Sequence, residues 1–469
     1  MKGLLRFLGA EALQDRPGRA GCARIAWSTK HLFGLALASL LVGYAVLGRG
    51  FAYLHVPLGI PVYVGEIGLV IGAAWALTSR RFWLGTLGTL PGMFLAAFVL
   101  WGVIRTVPYL GRHGTEAVRD AALYYYGAYL FLGYALVREG GGLVALARLY
   151  AKLGKWYVFW VPVVFLGLAM AQHSGPLRAT AGGDFLLLLN PGDFAVHLAG
   201  VVTFFLLVAE NIPGLKDPRR TALWYATALL SALLTMSRAA YLAMGCAGAA
   251  ALFLGASEKL SRLLLAGVLA IMLLLAMNLQ AGVRPSREAS LGTMASLVQG
   301  IISSDDRTAV GQDTKRWRLL WWGKILRETL WGEYFWMGRG FGENLADAHG
   351  FQTGSATDTH PLRSPHSVHF TVLARMGVPG LLLWLGLNGT LVLHLMLAWR
   401  RARQAGDGLR QGILAWALCF WAATVVHASF GVYLESPQGA IWFWFAMGVG
   451  LAAASAVPGG RQNREPLRR

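Results

Sequence analysis

Long apolar runs, each about one bilayer thick, recur along the chain with short polar breaks between them. About twenty apolar residues in helical form cross a hydrocarbon core, and a helix satisfies its own backbone polar groups there. Such stretches fall at residues 31–48, 62–79, 83–104, 120–137, 156–173, 193–209, 221–236, 239–255, 261–281, 377–398, 411–433 and 437–456. Pro57, Gly59 and Pro61 interrupt the run ahead of the second stretch, and Ser237-Arg238 closely separates the seventh from the eighth. The pattern predicts an all-α polytopic membrane protein of about 12 transmembrane helices. Residues 283–376 break this rhythm, being mostly polar and too long for a plain connector. Inside them, Trp317 to Trp331 places apolar residues at helical spacing. The Gly-rich turn Gly338-Arg339-Gly340-Phe341-Gly342 follows, and a His-rich segment then returns to helix at about Pro365. One large loop domain between helices 9 and 10 is therefore expected to cap the bundle. No inverted internal repeat of the kind seen in transporters is evident.

Composition agrees with the pattern. Of 469 residues, 56% are hydrophobic and only 14% are charged, against about 25% charged in ordinary soluble proteins. A soluble enzyme, a disordered chain and a fibrous protein are excluded. The net charge of +19 would point to nucleic acid in a soluble protein. Here no nucleic-acid partner is expected, because membrane proteins concentrate Lys and Arg in cytoplasmic loops. The basic clusters alternate with nearly bare loops, where Arg49, Arg178 and Arg238 stand mostly alone. That alternation puts both termini in the cytoplasm and the large loop outside. The expected division is a basic cytoplasmic segment 1–30, helices 1–9 over 31–282, the loop domain 283–376, helices 10–12 over 377–456 and a basic cytoplasmic tail 457–469. No cleavable signal peptide is expected. Cys22, Cys246 and Cys419 are too scattered for a disulfide framework or a thiolate metal site.

Ionisable groups at membrane depth or its outer edge are the candidates for chemistry. Arg238, in Thr235-Met236-Ser237-Arg238, is either an arginine snorkelling to headgroups or a fixed forked cation for a phosphate group. Arg318, in Trp317-Arg318-Leu319-Leu320-Trp321-Trp322, belongs either to an interfacial aromatic belt or to a surface helix that turns its arginine toward a substrate. His366, in Pro365-His366-Ser367, is expected to begin a helix at the outer mouth. A helix N-terminus and nearby Arg363 favour the neutral imidazole that a general base needs. His369 competes for that role, and His349 and His360 share the loop. No histidine spacing there supports a metal site. Asp305-Asp306 is the best carboxylate pair for a metal-dependent alternative. Glu66 and Glu435 are expected to pair with arginines of the site, and Arg119 either joins it or pairs with Asp120. His197 and His427 are expected to be satisfied within the bundle.

Taken together, Thr235-Met236-Ser237-Arg238, the Trp317 to Trp322 helix with its glycine turn, and Pro365-His366-Ser367 ahead of Gly377 and Gly380 resemble the O-antigen ligase and polymerase superfamily of WaaL-type and Wzy-type membrane glycosyltransferases. Ser367 departs from the asparagine common there. The resemblance singles out His366 over His369 and implies a GT-C-like enzyme of the bacterial inner membrane, with its active site facing the periplasm. It implies an undecaprenyl-diphosphate-linked glycan as donor and membrane lipids as surroundings. Arg238 and Arg318 would bind the pyrophosphate, and His366 would be the general base of an inverting, metal-independent transfer with no cofactor. Arg363, His369, Arg119 and Glu66 are possible supporting residues, and other loop arginines compete with Arg318. The lateness of the loop favours a ligase acting on a lipid A-core acceptor. A polymerase with an undecaprenyl-linked glycan acceptor, a protein O-oligosaccharyltransferase and a lipid or glycan transporter are the alternatives.

Overall fold

The computed structural model describes residues 29–57, 61–76, 85–139, 142–174, 191–212, 214–215, 221–235, 237–256, 281–284, 287–289, 309–352 and 362–455. Helices dominate. They are α1 (Thr29–Leu47), the short α2 (Arg49–Ala52), α3 (Val64–Ala76), α4 (Leu90–Thr106), α5 (Ala128–Glu139), α6 (Gly142–Ser174), α7 (Pro191–Leu207), α8 (Thr221–Leu234) and α9 (Arg238–Phe253). After the hairpin β3 (Ala281–Arg284) and β4 (Arg287–Ala289) come α10 (Ala309–Leu330), α11 (Leu345–His349), α12 (Val368–Gln404), α13 (Gly408–Ala428) and α14 (Pro437–Ala454). A first hairpin, β1 (His55–Pro57) with β2 (Pro61–Tyr63), fills the proline-interrupted run between α2 and α3.

Helices therefore occupy eleven of the twelve expected stretches, and the remaining one, 261–281, lies outside the described residues, as do Arg178, His360, Asp305-Asp306 and nearly all of both basic termini. Among the described residues, three helices are long and apolar enough to cross a membrane by themselves, Leu90–His113, Val368–Gln404 and Gly408–Ala428, and a fourth crossing results if α5 and α6 count as one bent span. Shorter apolar helices include Phe33–Leu47 and Arg238–Phe253. This is a multi-pass helical membrane protein, and a count of twelve crossings stays an expectation.

Close packing explains which helices are neighbours. α14 is buried along almost its whole length, as suits a helix apolar on every side. It lies against α5 through Gly133 and Gly448; a Cβ on either would collide with the carbonyl oxygen of Phe445 or Leu130. Small residues of this kind let helix backbones touch. α4 packs along α12, and α13 packs against α7, α9 and α12. Thr89 caps α4 by accepting from Gly92 N at 3.2 Å, and Asp407 caps α13 by accepting from Arg410 N at 3.1 Å.

α12 carries a break near its N-terminal end. Gly377 takes φ 68° and ψ −169°, and Pro379 follows without an N–H to donate. The break frees three carbonyls, and each finds a partner. Arg339 N donates to Ala374 O at 2.7 Å, Gly340 N to Arg375 O at 3.0 Å and Trp101 Nε1 to Met376 O at 2.9 Å. The expected glycine turn is thus the piece that closes the broken helix. Gly338, Gly340 and Gly342 all have positive φ, at 60°, 79° and 102°, which a glycine adopts without a Cβ penalty. The segment above the bundle has its own small core of Trp321, Ile325, Leu345, Ala346, Leu373 and Ala374.

Candidate functional site

A charge cluster holds that segment to the bundle. Asp120, at the end of a helical turn spanning Thr115–Asp120, accepts through Oδ2 from Gly342 N at 3.1 Å, Arg363 Nη2 at 3.1 Å and Arg375 Nη2 at 2.8 Å. Arg363 also pairs with Glu116 at 3.0 Å, and Arg375 Nη1 donates to the carbonyls of Gly340 and Glu343 at 3.2 Å each. A second set binds α10 to the turn: Arg339 donates to Glu328 at 2.8 Å, and Glu328 also meets His349 Nε2 at 3.1 Å. His349 takes Trp321 Nε1–H on Nδ1 at 2.8 Å. Burial, together with Arg339 and Lys324, keeps the His349 pKa below its usual value.

His366 sits beneath α10. It does not begin α12 as expected: Ser367 is the N-cap, Val368 the first helical residue, and His366 precedes both with φ 57°. Among the described residues it is the only non-glycine with positive φ. Such a conformation costs about 1–3 kcal/mol and persists only where the surroundings enforce it. Here Trp322 Nε1 donates to Pro365 O at 2.9 Å, and the Trp317 ring meets the imidazole edge-on at 5.7 Å. No hydrogen bond to the His366 ring nitrogens forms among the described residues. Burial lowers its pKa to about 4, helped by the nearby charges of Arg318 and Arg49. Arg363, expected to do this, is instead committed to Asp120 and Glu116.

The structure brings the three leading candidates together. Arg318, on α10, acts on His366, and Arg238, the first residue of α9, lies close enough to depress the Arg318 pKa beyond the effect of burial. Arg318 Nε is buried without a hydrogen-bond partner among the described residues. Two guanidiniums and an imidazole that burial keeps largely neutral form a set suited to a di-anionic group beside a hydroxyl that must lose its proton.

The supporting candidates lie elsewhere. Both ring nitrogens of His369 are used: Trp384 Nε1 donates to Nδ1 at 3.1 Å, so Nε2 carries the proton toward Ser429 Oγ at 3.0 Å. Arg119 pairs with exposed Glu116 at 3.2 Å, not with Asp120. Glu66 accepts from Tyr125 and Tyr126 hydroxyls at 2.7 Å each, a tyrosine cluster with no arginine pairing to Glu66 among the described residues. Glu435, between α13 and α14, accepts from Thr371 at 2.9 Å; its pKa is raised by burial despite that bond and the charge of Arg375. His427 is held by Asp193, its Nε2 3.5 Å from Oδ1. Arg49 enters the sequence pattern only as an isolated charge of a nearly bare loop, yet its charge also acts on His366.

No curated protein matches the chain. Residues 222–385 match a family model described as O-Antigen ligase. The match runs from α8 through Arg238, α10 and the glycine turn to the broken start of α12, so it encloses the three gathered side chains. Over this segment the chain is similar to the O-antigen ligase family.

Proposed function

We propose that the protein is an O-antigen ligase that transfers a glycan from undecaprenyl diphosphate to lipid A-core at the periplasmic face of the inner membrane. The observation that carries this reading is the convergence of Arg238, Arg318 and a neutral His366 within the ligase-like segment. Arg238 and Arg318 bind the diphosphate of the donor and stabilise the charge that grows on it as it leaves. His366 accepts the proton of the acceptor hydroxyl. The acceptor oxygen forms its bond to the anomeric carbon as the carbon–phosphate-oxygen bond breaks, and undecaprenyl diphosphate departs with the electron pair. One displacement inverts that carbon, and the two guanidiniums take the place of a metal ion. Arg363, His369, Arg119 and Glu66 support the surrounding structure and have no part in the transfer.

The test uses purified full-length protein in nanodiscs with chelator and an undecaprenyl-diphosphate oligosaccharide, with and without lipid A-core. A glycan shift onto lipid A-core only when both are present supports the ligase. Lengthening of the undecaprenyl-linked glycan replaces it with a polymerase reading. No transfer in either lane leaves a protein acceptor or transport, and removes His366 from its proposed role.

The low pKa of His366 sets the pH behaviour. The base works when neutral, so in the free enzyme activity is kept from pH 7 down to about 5 and half is lost at about 4. The acid limb of kcat/KM reports this free-enzyme value. Bound diphosphate brings negative charge to the imidazole and favours its protonated form, so the acid limb of kcat lies at higher pH than that of kcat/KM. An acid limb of kcat/KM near the ordinary histidine value of about 6.5 would contradict the burial of His366 between two cations.

A further inference from the structure

We propose that the turn after α10, residues 331–337, is an interfacial anchor that seats Trp336 and Met337 in the bilayer, at the boundary between headgroups and acyl chains. This does not depend on the ligase reading above. The sequence offers an aromatic belt at Trp317 to Trp322, but those rings turn inward. Trp321 Nε1 and Trp322 Nε1 donate to His349 and to the Pro365 carbonyl, and Trp317 lies against His366. The large side chains that this segment leaves uncovered come just past the end of α10. Trp331 is 79% exposed, Trp336 68% and Met337 46%.

The backbone that carries them is fixed on all sides. Gly338 N donates to Tyr334 O at 2.9 Å, and Val378 N donates to Phe335 O at 2.8 Å. Arg105 Nε on α4 donates to Met337 O at 2.5 Å. Gly377 sits so close that a Cβ there would lie 2.9 Å from the Trp336 carbonyl oxygen. The main chain is thus bound to α4 and to the break in α12, while the side chains of Trp336 and Met337 stay uncovered. Large apolar groups held out in this way mark a contact with an apolar surface outside the protein.

The position of the turn identifies that surface. Val378, which Phe335 caps, is followed at helical spacing by Leu382 and Leu385 on the same face of α12, and both leucines are exposed. On the other flank, Arg105 adjoins Ile104, which shares an exposed row of α4 with Leu100 and Val107. Both helices belong to stretches long and apolar enough to cross a membrane, and they pack along each other. The turn stands at the end of these two rows and continues them. A protein partner would have to leave off where the rows begin, whereas a bilayer covers rows and turn together. The neighbours of the turn suit its boundary. Arg327 and Glu333 are exposed, and the Arg339 guanidinium lies 4.2 Å from the Tyr334 ring centre. Tryptophan beside charged residues is the composition of a membrane interface, where the ring meets the headgroups and the charges stay in water. The anchor ties to the bilayer the C-terminal end of the helix that covers His366.

The test uses full-length protein in nanodiscs of phosphatidylcholine and phosphatidylglycerol, with Cys22, Cys246 and Cys419 replaced by alanine. A nitroxide is attached in turn to Trp336→Cys, Met337→Cys, Glu333→Cys and Leu385→Cys, and thermal midpoints check folding. Oxygen concentrates in hydrocarbon, and a nickel chelate stays in water. The preference for oxygen over nickel is expected to be several times greater at 336 and 337 than at 333, and to approach that at 385. Nickel collision at 336 equal to that at 333 puts the turn in water and overturns the inference. A label at 336 that neither reagent reaches means that a second copy or another protein covers the patch, and overturns it too. Where a labelled variant does not fold, Trp336→Phe keeps an aromatic ring and needs no label. In lipid brominated near the headgroup end of its chains, the wild type is expected to lose a larger fraction of its fluorescence than Trp336→Phe, and equal quenching overturns the inference.

Discussion

His366→Ala is expected to lower kcat by about a hundredfold to ten-thousandfold, the usual contribution of a positioned general base. The thermal midpoint should change little, because the left-handed backbone at φ 57° suits alanine no better than histidine and no ring hydrogen bond is lost among the described residues. KM for the donor should change little, since the diphosphate is bound by guanidiniums and not by imidazole. The variant should also lose the acid limb of its pH profile, a signature that distinguishes a missing base from a damaged pocket. His369→Ala is the control. Its ring bridges Trp384 and Ser429, so its removal should lower stability and leave the acid limb in place. A His366→Ala variant with near-wild-type kcat, or one whose residual activity keeps that limb, would remove the histidine from the mechanism.

Asp120→Ala should produce the largest loss of stability. Its carboxylate neutralises Arg375, which is 3% exposed, and Arg363, which is 15% exposed, and it accepts from Gly342 N besides. Removing one partner of a buried ion pair costs about 3–5 kcal/mol, because the abandoned charge cannot regain its water. The loss should be local. The segment with the glycine turn and α10 loses its tie to the bundle, and limited proteolysis should cut it well before α13 and α14 are exposed. Transfer activity falls with it, since Arg318 and His366 both depend on that docking. Asp120→Ala combined with Arg375→Met should cost less than Asp120→Ala alone, as the stranded cation is then gone. A thermal midpoint within about 2 °C of wild type for the single variant would mean that solvent reaches the cluster.

Local patterns in the sequence carried some of this structure and missed the rest for one reason. The period of Trp317 to Trp331 marks a helix because helical spacing is a local property, and Ala309–Leu330 covers all of it but Trp331. The three glycines of 338–342 marked a turn because only glycine enters positive φ freely, and all three do. Neither signal says what the turn is for, since its partners, the carbonyls of Ala374 and Arg375, lie more than thirty residues on. The ion pairs were illegible in the same way. Arg119 stands beside Asp120 in sequence, yet Asp120 turns to Arg363 and Arg375. Glu66 was expected near an arginine and found two tyrosines. Arg49 and Asp193 are separated by 144 positions, and no short-range rule connects them. His366 was found through its setting, but its backbone was not: a residue after proline and before a helix reads as the first turn, whereas Ser367 caps α12 and leaves His366 outside it.

The lowered Arg318 pKa, set by burial and then by the charge of Arg238, has a consequence for the proposed turnover. Like charges held together repel, and an arriving anion relieves that repulsion. In the proposed transfer the donor would bring that relief, but so would the spent undecaprenyl diphosphate, which carries more negative charge than the diester it came from. The two arginines are then expected to hold the product more tightly than the donor, so that exit of the carrier lipid sets the pace and added carrier inhibits the reaction that releases it.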